Sequence, residues 1–375
     1  MSASLISLQP RLARIRGSLP ETEPGARGLE HVARNPSCVL LRAATLANVS
    51  PAAIATHVLG LPAREEQSPF ALGTGTSFER HLTENGAAGL LALYRAEKRL
   101  GMRDSKVRNL VELASSASPV ALARRRALTT RFIRQKLAGD PAAPNLIIKP
   151  RLAVALLGLP QDIEPDAFVS ADRDRFYRPV EIKSYTDYAG KTDPSDLRSA
   201  YRQAAVGVYG LRELLRCAGV PDPPALVPLE ADLVLRRPSS FSPTLRSMRL
   251  PGEYFSVAQA LQAAPQDLLA LEAQLQRSGP GAALDDARTI EALPNNYLPS
   301  CREHCALAPY CKQRAHGASD PIVLGPQARE HLAAAGSVAR ALDLLNGTGG
   351  PVRSPEEQAL AAQLREADAA WKGVI

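Results

Sequence analysis

Glu164-Pro165-Asp166-Ala167-Phe168-Val169 and, after a turn, Val180-Glu181-Ile182-Lys183-Ser184 are the two stretches that decide how this chain folds. A strand sends alternate side chains to one face, so Glu181 and Lys183 stand together while Val180 and Ile182 face the core. If Asp166–Val169 pairs with that strand as a hairpin, Asp166 arrives at the same end. Two carboxylates and one ammonium then surround a single spot, which suits a hard, oxygen-preferring cation such as Mg²⁺. The same residues also fit the polar face of an ordinary surface hairpin, because motifs this short recur by chance.

Outward from this segment, apolar spacing predicts a sequence of helices and strands. A short helix is expected from Val39 to Ala47. A longer one opens at Thr76-Ser77-Phe78-Glu79 and runs to Arg99, with Phe78, Leu82, Leu90, Leu91 and Tyr94 inward. Thr76 and Glu79 make a capping box at its start. Val107 to Leu137 is read as one or two helices carrying Arg124, Arg125, Arg126, Arg131, Arg134 and Lys136. Leu146–Ile148 and Ala153–Leu157 suit buried strands or short helices. After a polar loop from Thr186 to Asp196, a helix from Ser195 to Cys217 places Leu197, Tyr201, Ala205, Val208, Leu211 and Leu215 on one side, and Cys217 is assigned to the core. A strand over 231–236 and a helix over 256–275 follow. Helices flanking a few strands of mixed pairing read as α/β, with a central mixed sheet. Residues 1–30 lack periodicity and are expected to be a flexible arm; 31–318 form the main domain; 319–375 form a helical tail, in which Ser354-Pro355-Glu356-Glu357 has a second capping-box pattern.

The 375 residues suffice for one large domain or two ordinary ones. No run approaches the roughly 18 apolar residues of a membrane span. The N-terminus shows no basic region leading into an apolar one, so a cytoplasmic location is expected. The formal charge of +7 and pI of about 9.3 favour a polyanionic partner. Arginine supplies most of that charge; its fork suits phosphate, and its abundance is equally a mark of a GC-rich bacterial genome. Gly73-Thr74-Gly75-Thr76 lacks the Lys-Ser/Thr ending of a phosphate loop, and no helicase motor is visible.

Five cysteines are present: Cys38, Cys217, and then Cys301, Cys305 and Cys311. An odd count in a chain without an export signal argues against a disulfide framework. Three thiols so close together suggest a metal-binding knuckle.

The order of helix, hairpin with Asp…Glu-x-Lys, helix and strand resembles the PD-(D/E)xK nuclease superfamily, and within it the RecB-like branch. Glu164-Pro165-Asp166 stands where that family has its Pro-Asp, Glu181-Ile182-Lys183 matches its Glu-x-Lys, and Gln203 matches the Gln of its next helix. The Tyr that family places four residues later is missing, and Tyr209 lies six residues on. The segment Gly75 to Leu82 looks like the family's first core helix, which carries an acid or a His; Glu79 has the usual offset and His81 is the second candidate. The resemblance implies a restriction-endonuclease-like core. It assigns Mg²⁺ or Mn²⁺ to Asp166, Glu181 and the Ile182 carbonyl, together with Glu79 or His81. It assigns water activation to Lys183 and a supporting hydrogen bond to Gln203. Arg198 and Arg202, a turn apart, would be phosphate contacts or a solvated helix face.

The cysteines are similar to those of AddB-type nucleases and CRISPR spacer-acquisition nucleases, in which one early and three late thiolates hold a 4Fe–4S cluster that closes the domain. Here these would be Cys38, Cys301, Cys305 and Cys311. Zn²⁺ on the same thiols, with His304 or His316, is the alternative. The function so implied is metal-dependent cleavage of DNA at single-stranded ends, beside a helicase or other subunits, in DNA repair, CRISPR adaptation or antiphage defence. A non-catalytic nucleic-acid-binding component and a zinc-knuckle scaffold are the competing expectations.

Overall fold

The computed structural model describes residues 8–62, 69–114 and 118–372. Its strands are β1 (Val107–Asn109), β2 (Leu146–Ile148), β3 (Leu152–Leu156), β4 (Leu159–Ile163), β5 (Ala167–Val169), β6 (Arg178–Thr186), β7 (Glu230–Arg236) and β8 (Pro243–Arg249). The main helices are α1 (Leu8–Arg16), α2 (Gly25–Arg34), α3 (Val39–Leu46), α4 (Pro69–Ala96), α5 (Pro119–Ala138), α6 (Pro194–Cys217), α7 (Pro251–Ser278), α8 (Cys301–His304), α9 (Ala308–Gly317), α10 (Val338–Asn346) and α11 (Pro355–Lys372). Six strands make one sheet in the order β1-β2-β5-β6-β7-β8, and β3 with β4 forms a separate hairpin. Pairing is mixed: β1–β2 and β6–β7 are parallel, the rest antiparallel. The expected α/β class with a mixed central sheet is therefore present.

Alternation along the strands separates two apolar layers. Leu146, Ile148, Ala167, Val180, Ile182 and Val234 pack under α4 against Phe78, Leu82, Leu90 and Tyr94. Ile147, Phe168, Leu233 and Leu235 face the larger core with Ala204, Val208 and Leu211 of α6 and Leu261 and Leu268 of α7. Both layers exclude water, which is the main favourable contribution to folding.

Several sequence expectations need correction. Residues 1–7 lie outside the described residues, but 8–30 are no loose arm. Leu8, Leu12 and Ile15 form a buried stripe on α1, and Arg11 pairs with Glu272 of α7 at 2.6 Å. Pro10, Gly17 and Pro20 punctuate this segment so heavily that its helical spacing is hard to see. Val107–Asn109 is a strand rather than the start of a helix, too short to show a period. α4 begins before Thr76, so the Thr76–Glu79 pair lies inside the helix and caps nothing; the helix breaks at Glu84–Ala87. Cys217 is exposed, not core. Two residues beyond the inward Leu215 on a 3.6-residue helix turn it roughly 200° away from the core. Half of the capping box of α11 is formed: Ser354 Oγ accepts from the Glu357 N–H at 3.2 Å, but the Glu357 carboxylate accepts from the Arg353 N–H and from Arg340. No single helix among the described residues is long and apolar enough to cross a membrane.

One buried charge ties the sheet to α4. Asp232 at the start of β7 is fully buried and accepts hydrogen bonds from Tyr94 Oη (3.1 Å) and Arg99 Nη1 (3.0 Å). Asp232→Ala leaves the Tyr94 hydroxyl without its acceptor. It should lower unfolding free energy by about 1–3 kcal/mol, read as an earlier midpoint in urea.

Candidate active site

The β5–β6 register fixes the site. Ala167 pairs with Val180 and Val169 with Arg178, so the ladder extended by one residue sets Asp166 opposite Glu181. Asp166 Oδ2 accepts from the Ile182 N–H at 2.7 Å, beside the main-chain position to which the resemblance assigns a metal contact. Beyond Ile182 the β6–β7 register shifts before resuming at Thr186. Irregularities of this kind re-aim side chains, and this one spans Lys183 to Tyr185.

Lys183 Nζ lies 2.6 Å from Glu181 Oε1 and donates to Gln203 Oε1 at 2.9 Å. Gln203 Nε2 in turn donates to Ser199 Oγ, one turn earlier on α6, at 3.3 Å. Asp166, Glu181, Lys183 and Gln203, singled out in the sequence, are thus neighbours. Tyr185 continues the period-two face and lies beside Lys183. It was missed, although the spacing Glu181-Lys183-Tyr185 was there to find. Tyr209 faces elsewhere, its ring 5.9 Å from Tyr254 of α7.

Burial dominates the electrostatics. It pushes the Glu181 carboxyl up to about 7; the Lys183 ammonium opposes this and the Asp166 charge adds to it. Burial also works against the Lys183 charge, but Glu181 and Asp166 outweigh it and hold the lysine above its ordinary value. The result is a desolvated acid–ammonium pair in which the acid is poised near neutrality.

Glu79 reaches this cluster from the opposite layer, through a residue not singled out in the sequence. Lys149 Nζ bridges Glu79 Oε1 (2.5 Å) and Asp166 Oδ1 (2.8 Å). The only sequence signal is a lysine between the apolar Leu146-Ile147-Ile148 and Pro150. His81 is exposed, with its ring 6.1 Å from Phe241, which leaves Glu79 as the first-helix residue joined to the site. Among the described residues, no three His, Cys, Asp or Glu side chains are arranged as ligands of one ion as they stand. The donor set of Asp166, Glu79 and Glu181 is nonetheless all oxygen, as a hard cation requires.

Cys38, Cys301, Cys305 and Cys311 converge although the first is far from the rest in sequence. Burial raises the Cys311 thiol strongly, and charges on Cys38, Cys305 and Cys301 add to this. Burial likewise raises Cys301. Around them Asn35 Nδ2 donates to the Asn296 carbonyl at 2.8 Å, Asn296 Nδ2 returns a bond to Asn35 Oδ1 at 2.9 Å, and the Leu40 N–H reaches the Pro294 carbonyl at 3.0 Å. Burial disfavours the charged forms of Cys301 and Cys311, a cost that a soft cation would offset, although among the described residues the thiols are not arranged as ligands of one ion as they stand. His304 lies beside His31, ring centroids 6.0 Å apart, and burial pushes it down to about 4. His316 is exposed.

The basic residues divide. Arg124, Arg131 and Arg134 are exposed on α5, whereas Arg125 and Arg126 pair with Glu164 and Asp162, and Lys136 is buried. Arg198 is exposed on α6, but Arg202 is half-buried and reaches toward Glu30 at 3.9 Å.

No family model matches the sequence, and no curated protein matches it. Among solved structures, a chain titled "Crystal structure of SSO0001" is similar over 54% of this chain and 87% of its own, at 12% identity and a TM-score of 0.20, a likeness too slight to bear on fold or function.

The raised Glu181 predicts a pH effect. The folded chain keeps a proton on Glu181 up to pH about 7, while the unfolded chain releases it near 4.5, so stability from this group falls as pH rises through that window. In chelated buffer, Glu181→Gln should therefore gain stability relative to wild type between those limits, measured by urea titration at several pH values. A difference that does not change with pH would show the carboxyl to be unperturbed.

Proposed function

We propose that this chain is a metal-dependent nuclease of the PD-(D/E)xK type, RecB-like branch, that cleaves DNA phosphodiester bonds at single-stranded ends. The observation that carries this is the meeting of Asp166, Glu181, Lys183 and Gln203 at one end of β5 and β6. Asp166 lies one ladder position from the paired residues, and Lys183 is held between Glu181 and Gln203. A surface hairpin with a merely polar face would leave Glu181 solvated; here it is buried.

Asp166 and Glu181, with Glu79, are the residues that would hold Mg²⁺ or Mn²⁺, beside the Ile182 main chain. Such an ion, when bound, supplies Lewis acidity to the phosphate and a lowered pKa to water. Everything else comes from the chain. Lys183 keeps its proton, because two carboxylates stabilise it, so its role is to orient the attacking water by hydrogen bonding and to face the negative charge that builds on the phosphate. Gln203 accepts from Lys183 Nζ and restricts the directions it can point, and Ser199 holds the Gln203 amide. Arg198 and the exposed arginines of α5 offer charge to a polynucleotide backbone.

Cys38, Cys301, Cys305 and Cys311 are read as the thiolate set of a 4Fe–4S cluster that braces the two ends of the domain, with Zn²⁺ as the alternative occupant. The protein would act beside a helicase or other subunits in DNA repair, CRISPR adaptation or antiphage defence.

Two outcomes test this. Purified protein should degrade end-labelled single-stranded DNA with Mn²⁺ or Mg²⁺, and Lys183→Ala should lower the rate at least about a hundredfold with the fold retained by circular dichroism. Equal inertness of wild type and variant over a range of metals and substrates would leave a non-catalytic nucleic-acid-binding component. Anaerobically prepared protein should be coloured and contain iron, and Cys311→Ser should bleach it; a colourless, zinc-loaded protein would assign the thiols to zinc instead.

A further inference from the structure

We propose that Lys149 is a built-in cation of the acidic site, competing with the divalent ion for Glu79 and Asp166 and so setting how tightly that ion is held. The proposal rests on the nuclease reading for the identity of the ion, and on the following geometry for the role of the lysine.

Lys149 follows the last residue of β2 and has φ +51°, in the left-handed region. A side chain other than Gly, Asn or Asp is seldom found there, and such strain persists only where the surroundings enforce it. Here they do. The Lys149 N–H donates to the Asp166 carbonyl at 2.9 Å, and the Lys149 carbonyl accepts from Arg125 Nη2 at 3.0 Å. Arg125 is itself buried and fixed by Glu164, the residue two before Asp166. The backbone is thus pinned on both sides, and the pinning connects the lysine to the loop that carries Asp166.

What the pinning achieves is the position of the ammonium. It joins a carboxylate from α4 to one from the β5 approach, the same two groups that a divalent ion would join. Both oxygens of Asp166 are already engaged: Oδ1 accepts from Lys149 and Oδ2 from the Ile182 N–H. A divalent ion bonded at about 2 Å would share an oxygen that already accepts a hydrogen bond, and it would sit within a few ångströms of a like charge. The ammonium on Asp166 and Glu79 therefore opposes entry of the ion, and its withdrawal favours it. The local charges make the same point. Lys149 faces both Glu79 and Asp166, so the chain has already offset part of the negative charge that would attract a metal.

The test is Mn²⁺ affinity, read from the free-ion signal in electron paramagnetic resonance, in wild type, Lys149→Met and Lys149→Arg. The Met variant should bind at least about tenfold more tightly, because a positive charge next to the ligands is gone. The Arg variant should stay within a few-fold of wild type. In chelator, Lys149→Met should melt lower than wild type, since Glu79 and Asp166 then face each other unshielded, and saturating Mn²⁺ should raise its melting temperature by more than it raises that of wild type. Equal or weaker Mn²⁺ binding by a folded Lys149→Met overturns the proposal while leaving the nuclease reading intact. If neither protein binds Mn²⁺ and Asp166→Ala changes nothing, both fall together.

Discussion

The pairing of β5 with β6 is the constraint on which the site depends. It is short, three residue pairs, but its register sets Asp166 across from Glu181. Slipping an antiparallel pair by one residue sends every side chain to the other face. Ala167, Val180 and Ile182 resist such a slip, because they would leave the layer under α4. Apolar packing on one face therefore fixes the charges on the other. The charges do not hold themselves together; burial raises Glu181, and only the ammonium groups nearby make its position tolerable.

Those ammonium groups come from different parts of the chain. Lys183 is delivered by the strand that carries Glu181. Lys149 arrives from the end of β2 with its backbone in a left-handed conformation, and it links Glu79 of α4 to Asp166. Five charged side chains drawn from α4, β2, the approach to β5 and β6 thus form one network. Removing a member of a buried network exposes the others to an unfavourable environment, so the members are interdependent.

A second tie closes the domain. Asn35 and Asn296 exchange hydrogen bonds across 261 residues of chain, and Cys38 lies with Cys301 and Cys311 in the same neighbourhood. α1, which a reading of residues 1–30 leaves as loose chain, packs on α7 through Arg11 and Glu272 and buries Leu8, Leu12 and Ile15. Both ends of the main domain therefore meet α7 and its continuation. The C-terminal helices form a smaller packing unit of their own around Leu344, Leu360 and Ala361, with Arg340 and Glu357 paired inside it.

Local sequence patterns determined the strands around Glu181 and 231–236, the helix ending at Cys217 and the placing of Glu181 and Lys183 on one face, while the family resemblance, not periodicity, pointed to Gln203 beside them. The strands, the helix and the shared face are local or nearly local patterns, written in the spacing of apolar residues. Tertiary structure decided the rest. Thr76 and Glu79 look like a cap in the sequence, but α4 starts earlier, and Glu79 is spent on Lys149 instead. Lys149 itself has no pattern around it; its role exists only once β2 lies beside β5 and Arg125 fixes its carbonyl. Spacing along a chain can say which residues share a face, whereas a charge bridging two layers depends on distances that only the packed fold defines.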